Sequence, residues 1–236
     1  MICKRSTIDA AIVDLDGTMV DTLGDFVAAL KLMLAELLPH DAAAQALDAS
    51  AVRLMVGKGS EHLVKSVLNH VQVQSGRPQI AIDLIAKYDQ AQASYQRHYA
   101  AVNGQHATLY PGVLQGLVAL QQSGIKLACL TNKPIGFARE LLRLKGLGGF
   151  FSEVFGGDSF ERKKPDPLPL LKTCQSLGTQ PARTLMIGDS SNDAQAARAA
   201  GCPVLLVTYG YNHGEPVRGV DADGFVDSWE GIVAAL

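Results

Sequence analysis

From residue 110 onward, the sequence alternates between helix-like and strand-like segments, and this alternation limits the possible folds more than any other feature. Apolar spacing, with prolines and glycines at favourable helix starts and stops, predicts the boundaries. The predicted segments are a helix at 111–122, a strand at 125–130, a helix between Pro134 and Gly146, a strand at 184–187, a helix at 193–200 and a strand at 203–207. Strands that alternate with helices predict β-α-β units and a mostly parallel sheet covered on both faces.

One strand of this core is predicted far from the others, near the start of the chain. Residues 8–14 form a short run rich in Ile, Val and Ala, followed by acids and Gly17. Such a run is typical of a buried parallel strand that leads into a loop.

The block between this strand and the rest, from Asp21 to about Val102, has a different character. Ala, Leu, Gln and Lys dominate, Pro is scarce, and we expect no strand. Apolar residues recur there at helical spacing. The three series are Phe26, Leu30, Met33, Leu34 and Leu37; Leu63, Val64, Val67 and Leu68; and Ile82, Ile85, Tyr88 and Tyr95.

The sequence therefore predicts an α/β protein with a doubly wound, mostly parallel sheet, Rossmann-like in architecture, and an inserted all-helical cap of about four helices. We place the α/β core at residues 1–20 and 104–236 and the cap at residues 21–103. A chain of 236 residues is long enough for such a core and cap.

Composition narrows the expected partners and compartment. The net charge is −2 and the sequence pI about 6.3, so bulk charge does not favour nucleic acid or an anionic membrane. We predict no secretory signal and no membrane span. The four cysteines lack zinc-ligand spacing or a disulfide pattern: Cys3, Cys129, Cys174 and Cys202. We expect a cytoplasmic monomer or homodimer without nucleic-acid or membrane partners.

Four polar loops at predicted strand-to-helix junctions contain the candidate catalytic and ligand-binding residues. They are Asp14-Leu-Asp-Gly-Thr18, Thr131-Asn-Lys-Pro134, Arg162-Lys-Lys-Pro-Asp-Pro167 and Gly188-Asp-Ser-Ser-Asn-Asp193. Ligands of doubly wound folds bind beyond the carboxyl ends of strands, where the first loop lies. Its glycine is the fourth residue, whereas an EF-hand calcium loop needs glycine at the sixth. Taken singly, the other loops are equally compatible with helix caps or a solvated basic face.

Taken together, and in this order, the four loops resemble the four motifs of the haloacid dehalogenase superfamily. The resemblance covers residues 8–21 and about 110–236 and implies phosphoryl transfer on the predicted fold. It implies that Asp14 is the nucleophile and that Asp16 is the general acid and base. A dehalogenase would not need that acid, because halide leaves unprotonated, so Asp16 favours a phosphatase. Met19 stands where the family usually has Leu, a change without chemical consequence.

The resemblance also implies a cofactor and a phosphate site. Mg²⁺ would be held by the Asp14 carboxylate, the Asp16 backbone carbonyl and the Asp189 carboxylate. Asp193 would support the metal site or hold the lysine in place. The expected phosphate-binding residues are Gly17, Thr18, Thr131, Asn132 and Lys164, with Lys164 preferred to Lys163 because the family's lysine directly precedes proline.

Within the superfamily, the sequence resembles the bacterial phosphoglycolate phosphatases more narrowly, through residues 131–134, 163–167 and Thr208-Tyr-Gly-Tyr-Asn-His-Gly-Glu215. This implies hydrolysis of a small phosphate monoester, 2-phosphoglycolate. The cap is only loosely similar, so a phosphatase or phosphomutase for a sugar phosphate, nucleotide or pyrophosphate remains an alternative. A non-enzymatic phospho-acceptor receiver is another, although such a module has no reason to carry a cap.

One break in the helical block has the character of a specificity loop. In Gly57-Lys58-Gly59, the glycines allow close backbone approach and Lys58 adds a charge for a substrate carboxylate. A plain interhelical turn with a solvated lysine explains this tripeptide equally well.

Overall fold

A six-stranded parallel sheet forms the core of the computed structural model, which describes residues 8–38, 44, 46–75 and 87–236. The strands are β1 (Ala10–Val13), β2 (Val20–Asp21), β3 (Thr108–Leu109), β4 (Lys126–Leu130), β5 (Glu153–Phe155), β6 (Thr184–Gly188), β7 (Val204–Val207) and β8 (Gly224–Val226). The sheet order is β5-β4-β1-β6-β7-β8, and every neighbouring pair is parallel. The first strand in the chain is therefore central.

Helices cover both faces of the sheet. The α-helices of the described residues are α1 (Leu23–Leu37), α2 (Ala49–Arg53), α3 (Ser60–Ser75), α4 (Tyr88–Val102), α5 (Val113–Gln122), α6 (Ile135–Leu144), α7 (Leu168–Leu177), α8 (Ser191–Ala200) and α9 (Trp229–Ala235). Ala11 and Val13 of β1 share an apolar cluster with α5, α6 and α9. Ile12 joins α7 and α8 in a second cluster. Because successive strand residues point to opposite faces, β1 needs apolar side chains throughout.

The cap consists, within the described residues, of helices α1 to α4 packed around their own apolar core. An aromatic contact joins α1 to α4, because the ring centroids of Phe26 and Tyr99 lie 5.6 Å apart. Within α4, the ring of Tyr95 stacks on that of Tyr99 at 5.5 Å. Tyr211 of the α/β core belongs to the same cluster. The cap and core therefore share an apolar contact.

A two-stranded ribbon lies where the chain leaves the core and where it returns. β2 and β3 pair in antiparallel fashion, with Val20 opposite Leu109. The buried Asp25 carboxylate, near the start of α1, accepts hydrogen bonds from the backbone N–H groups of Gly104 and His106, both at 2.7 Å. This carboxylate fixes the first cap helix to the returning chain.

The predicted fold class is confirmed by the sheet and its helices, with small shifts at segment ends. The first two apolar series are the buried faces of α1 and α3. In the third series Tyr88 and Tyr95 lie in α4, whereas Ile82 and Ile85, like Cys3, lie outside the described residues. The prediction did not include β5, β8, α9 or the β2–β3 ribbon, whose strands have two or three residues and give little periodic signal.

Two further details concern helix starts and membranes. Pro134 precedes α6, with ψ 138°, rather than occupying its first turn, and α8 begins two residues earlier than expected, at Ser191. Among the described residues, we find no helix both long and apolar enough to cross a bilayer.

Candidate active site

Loops from three neighbouring strands meet at one edge of the sheet. Asp14 directly follows β1, Thr131 follows β4 and Asp189 follows β6. Because β1 pairs in parallel with both β4 and β6, the carboxyl ends of these strands lie side by side. Ligands of such sheets bind in the crevice beyond these ends. Residues that are distant in the sequence are thus brought together by strand order.

Lys164 is the buried cation of this crevice. Its Nζ donates to Asp14 Oδ1 at 2.7 Å, Asp193 Oδ1 at 2.7 Å and the carbonyl oxygen of Leu130 at 2.8 Å. An ammonium group has three N–H donors, so the hydrogen-bonding capacity of Lys164 is filled. The lysine is therefore held between two carboxylates whose charge it partly neutralises.

Asp193 has partners at both carboxylate oxygens. Oδ1 accepts from Lys164. Oδ2 accepts from the Ser190 backbone N–H at 3.2 Å, which is the capping-box contact at the start of α8, and from the Ser190 hydroxyl at 2.8 Å. A capping box fixes the carboxylate to the helix start. These contacts are those expected of a residue that holds Lys164 in place.

Asp16 forms a second ion pair, with Lys133. Lys133 Nζ donates to Asp16 Oδ1 at 2.8 Å, and the lysine side chain is only 3% exposed. The same Nζ lies 4.7 Å from the ring centroid of Phe26 and 4.8 Å from that of Tyr99. Cap aromatic rings therefore surround a core lysine beside the predicted acid and base.

Burial changes the ionisation of the central groups. It raises the pKa of Asp14 to about 7, against the opposing effect of Lys164. Burial, together with the Asp193 and Asp14 carboxylates, raises the pKa of Asp189 well above its ordinary value. Burial on its own lowers the pKa of Lys164, but Asp14 and Asp193 outweigh it and hold that pKa above its usual range. The positive charge beside Asp14 and Asp189 is therefore too small to offset the effect of burial on their pKa values.

Backbone packs closely around the Asp189 carboxylate. The N–H of Tyr211 donates to Asp189 Oδ2 at 2.7 Å. A Cβ atom added at Gly17 or Gly210 would collide with this carboxylate, and Gly17 also has a φ of +87°, which favours glycine. Two glycines therefore make room for one buried acid.

The donor set fits a hard divalent cation. Carboxylate oxygens of Asp14, Asp189 and Asp193 lie within 4.8 Å of one another. With Asp16 included, four carboxylates face the two ammonium groups of Lys133 and Lys164. When all six groups are ionised, negative charges exceed positive ones by two. Mg²⁺ takes carboxylate oxygens and would supply that missing charge.

These groups line a small cavity between the core and the cap, with a volume of about 50 Å³. This is far smaller than the roughly 300–1,000 Å³ of a pocket for a drug-sized ligand. The lining on the core side is charged, and the lining on the cap side is mostly apolar. The cap-side residues include Phe26, Val56, Leu63, Tyr95 and Tyr99. The cavity suits a small ligand with an anionic end.

The predicted phosphate loop takes part in this cavity through Thr131 and Asn132. The Thr131 hydroxyl accepts from the N–H of Lys133 at 3.2 Å. The Asn132 side chain donates to the carbonyl of Lys164 at 2.9 Å, which ties two of the site loops together. Gly17 and Thr18 lie behind the lining: Thr18 is fully buried, and its carbonyl accepts from the Tyr209 hydroxyl at 2.9 Å.

The predicted cap loop touches the site through its backbone. Gly57 and Gly59 line the cavity, whereas Lys58 is exposed and does not. Core side chains hold the loop: Asn192 donates to the Gly57 carbonyl at 3.2 Å, and His213 Nδ1 lies 2.7 Å from the Val56 carbonyl. The role of Lys58 toward a substrate carboxylate stays a prediction.

Several residues of the site were given no role by the sequence. Lys133, Asn192, Gly210, Tyr211 and His213 all contact predicted site residues or the cap loop. All five lie inside or beside the motifs quoted above, so the sequence did indicate that they are near the site. Their partners depend on packing between distant loops, which spacing along the chain does not reveal.

A family model described as haloacid dehalogenase-like hydrolase matches residues 8–201. This range contains every predicted site residue and most of the chain. The chain therefore belongs to the haloacid dehalogenase-like hydrolases, as the four motifs predicted.

Several similar curated proteins are named phosphoglycolate phosphatase. The chain is 42% identical to that of Thiobacillus denitrificans over 94% of this chain and 92% of the relative. It is 41% identical to the plasmid phosphoglycolate phosphatase of Cupriavidus necator over 96% and 92%. A solved structure described as a predicted phosphoglycolate phosphatase from Haemophilus somnus superposes with a TM-score of 0.87 and 28% identity, covering 97% of each chain.

Proposed function

We propose that this chain is a magnesium-dependent phosphatase that hydrolyses 2-phosphoglycolate to glycolate and phosphate. The observation that carries the proposal is the pairing of Asp14 with Lys164 in the lining of a small cavity, which Asp16 also lines. The names of the 42% and 41% identical relatives support the choice of substrate. The expected substrate is thus a small phosphorylated metabolite, and the expectation of a cytoplasmic monomer or homodimer stays a prediction.

Asp14 is the proposed nucleophile. One of its carboxylate oxygens attacks phosphorus, and the bond between phosphorus and the glycolate oxygen breaks. The electron pair of that bond goes to the glycolate oxygen. Lys164 contacts Asp14 Oδ1 at 2.7 Å and so holds the carboxylate in position, while its charge reduces repulsion between the two anions.

Asp16 is the proposed general acid and base. As an acid it gives its proton to the departing glycolate oxygen. Water then attacks phosphorus of the aspartyl-phosphate, Asp16 takes a proton from that water, and the acyl phosphate bond breaks to restore Asp14. Because Lys133 occupies Oδ1 of Asp16, Oδ2 is the oxygen that we assign to proton transfer.

The phosphoryl oxygens need donors that do not move during the reaction. We assign this role to the Thr131 hydroxyl, the Asn132 backbone N–H and Lys164, with Gly17 and Thr18 shaping the backbone below. Thr131 and Asn132 line the cavity, and Asn132 is fixed by its hydrogen bond to the Lys164 carbonyl. The cap covers these groups and so excludes water that does not take part in the reaction.

The carboxylates of Asp14 and Asp189 and the backbone carbonyl of Asp16 are the proposed ligands of Mg²⁺. When bound, the cation supplies positive charge that draws electrons from the phosphoryl group and lowers its repulsion of Asp14. Asp189 is kept in place for this by the Tyr211 N–H and by the closely packed Gly17 and Gly210.

The test is a panel of phosphate monoesters, with pyrophosphate as an anhydride for comparison, assayed with and without Mg²⁺. The panel contains 2-phosphoglycolate, sugar phosphates, nucleotides and pyrophosphate. We expect the highest kcat/KM for 2-phosphoglycolate, and only with the metal. A higher kcat/KM for a sugar phosphate or nucleotide would replace the proposed substrate, and absence of turnover on every ester would favour a non-enzymatic phospho-acceptor.

A further inference from the structure

Lys133 is a buried cation to which the proposed mechanism gives no direct part in the reaction. It lies in the loop after β4, one residue beyond the phosphate-binding Asn132, and it lines the cavity. Its side chain is 3% exposed, as is that of Lys164. A buried ammonium group costs free energy unless it is well paired, so its presence in this cavity needs an explanation.

The two buried lysines differ in how their donors are used. Lys164 has three oxygen acceptors. Lys133 Nζ has one, Asp16 Oδ1, among the residues that the structure describes. An ammonium group has three N–H donors, so two donors of Lys133 are left for a ligand in the cavity. The Phe26 and Tyr99 rings stabilise its charge without accepting those hydrogen bonds in the way an oxygen would.

The position of Lys133 relative to Asp16 identifies the part of a substrate that it faces. Asp16 acts on the oxygen that joins phosphorus to the leaving group, so a residue bonded to Asp16 lies on the leaving-group side of the site. In 2-phosphoglycolate a single methylene separates that oxygen from the carboxylate. A cation that touches Asp16 is therefore within reach of the substrate carboxylate.

We infer that Lys133 binds the carboxylate of the substrate and so selects esters with an anionic leaving group. This inference rests on the proposed function. Among the described residues, Lys133 and Lys164 are the cations that line the cavity. All three N–H donors of Lys164 are already used by its three acceptors. The aromatic rings come from cap helices α1 and α4, so cap closure completes the environment of the ammonium group.

The test compares two alkyl esters that differ in the carboxylate. Purified wild-type protein and Lys133→Met are assayed with Mg²⁺ on 2-phosphoglycolate and on 2-hydroxyethyl phosphate. The second ester needs the same leaving-group protonation but has an uncharged hydroxymethyl group in place of the carboxylate. We expect kcat/KM for 2-phosphoglycolate to fall at least about tenfold further than that for 2-hydroxyethyl phosphate, because a charged hydrogen bond is lost only with the first ester.

Two further variants complete the design. Lys133→Arg keeps the charge and should restore part of the preference for 2-phosphoglycolate. Lys65→Met is the matched control, because Lys65 lies over the Tyr88 ring at 4.7 Å on the exposed side of the cap and does not line the cavity. If Lys133→Met does not fold, Lys133→Gln takes its place and has the same expected outcome.

The outcomes separate the inference from the proposed function. An equal fall on both esters would mean that Lys133 only positions Asp16, and would overturn the carboxylate assignment. Unchanged kinetics would overturn it too. In both cases wild-type preference for 2-phosphoglycolate would leave the proposed function standing. Equal hydrolysis of both esters by the wild-type protein would instead show that the site does not select a carboxylate, and both proposals would fail.

Discussion

Asp14 owes its proposed role to its neighbours as much as to its own chemistry. Burial disfavours the ionised form of a carboxyl group, and it raises the pKa of Asp14 to about 7. Lys164 opposes that effect from 2.7 Å, and Asp193 keeps the lysine there. The nucleophile and its counter-ion come from two separate loops, and the residue that anchors the counter-ion comes from the first turn of α8.

Asp14→Asn should abolish turnover and leave the fold intact, because the amide keeps the shape of the carboxylate but has no nucleophilic charge. We expect kcat to fall at least about a thousandfold. The measurement is phosphate release, with circular dichroism to check folding. Asp89→Asn, on the exposed surface of α4, is the control. Residual activity above about a thousandth of wild type would argue against an aspartyl-phosphate.

Asp16→Asn should affect substrates according to how much their leaving group needs a proton. We expect a loss of about a hundredfold or more on 2-phosphoglycolate, whose alkoxide needs protonation. The loss on p-nitrophenyl phosphate should be smaller in the phosphorylation step, and phospho-enzyme should accumulate because water is no longer activated. Rapid-quench measurements with labelled phosphate can detect that species. If the rate of enzyme phosphorylation fell equally with 2-phosphoglycolate and with p-nitrophenyl phosphate, Asp16 would not be the general acid.

Gly210→Ala should weaken magnesium binding by about tenfold or more, because the added Cβ would displace the Asp189 carboxylate. Titration calorimetry with Mg²⁺ measures the Kd directly. Gly219→Ala is the matched control, since a Cβ there meets no atom within 4 Å. Equal Kd values for the two variants would show that Gly210 does not shape a metal site.

The sequence pointed to the acids and the lysine of the site, and to Asp193 as a residue that could hold Lys164, but it did not indicate the other contacts. Asp14, Lys164 and Asp189 each lie in a motif of fixed residue types. Strand ends place Asp14 and Asp189, whereas Lys164 lies in the loop that precedes α7. The Lys133–Asp16 pair and its aromatic neighbours depend on how the cap meets the core. That meeting is a property of packing, so no local pattern around residue 133 indicated it.

At the scale of elements, length decided which segments could be predicted. The helices α1 and α3 have 15 and 16 residues, enough for several turns of apolar spacing. β5 and β8 have three residues each, and the ribbon strands β2 and β3 have two. Such short strands are stabilised by their neighbours in the sheet, and their own sequences carry too few positions to show a period.

The contact between α5 and α9 depends on a glycine. Gly116 of α5 faces Trp229, which is fully buried, and a Cβ at Gly116 would approach the indole ring to 2.5 Å. The absence of a side chain lets the two helices pack closely. Gly136 in α6 is a helical glycine with open space around it, so the two positions make a matched pair.

Gly116→Ala should lower the free energy of unfolding by about 1–3 kcal/mol, because crowding of the Trp229 ring outweighs the gain in helix propensity. Gly136→Ala should raise it by up to about 1 kcal/mol, the gain expected where alanine meets no obstacle. Urea unfolding followed by tryptophan fluorescence measures both. If Gly116→Ala were as stabilising as Gly136→Ala, the proposed close packing of α5 and α9 would be wrong.

At the scale of the whole molecule, the cap is inserted directly beside the nucleophile. The chain leaves the core seven residues after Asp14, through β2, and returns through β3, so that the cap begins close to the reacting group. Core side chains reach back to the cap, as Asn192 does to the Gly57 carbonyl. Cap position and site geometry are therefore coupled.

Removal of magnesium should both silence the protein and lower its thermal stability. When ionised, the four carboxylates of the site exceed its two ammonium groups by two negative charges, which a divalent cation would balance. Without the cation, burial disfavours ionised Asp14 and Asp189 and raises the pKa of both. A cation that binds only the folded state stabilises it by about 2.7 kcal/mol at a hundred times its Kd. For a chain of this size, that corresponds to a rise in Tm of about 5–10 °C.

Thermal melts after EDTA treatment, with Mg²⁺ then restored, measure this shift. Ca²⁺ should restore Tm better than activity, because its looser geometry misplaces the nucleophile. Asp189→Asn should reduce the Mg²⁺-dependent rise, whereas Asp89→Asn should keep it. Unchanged Tm and unchanged activity after thorough chelation would exclude the site as a magnesium centre.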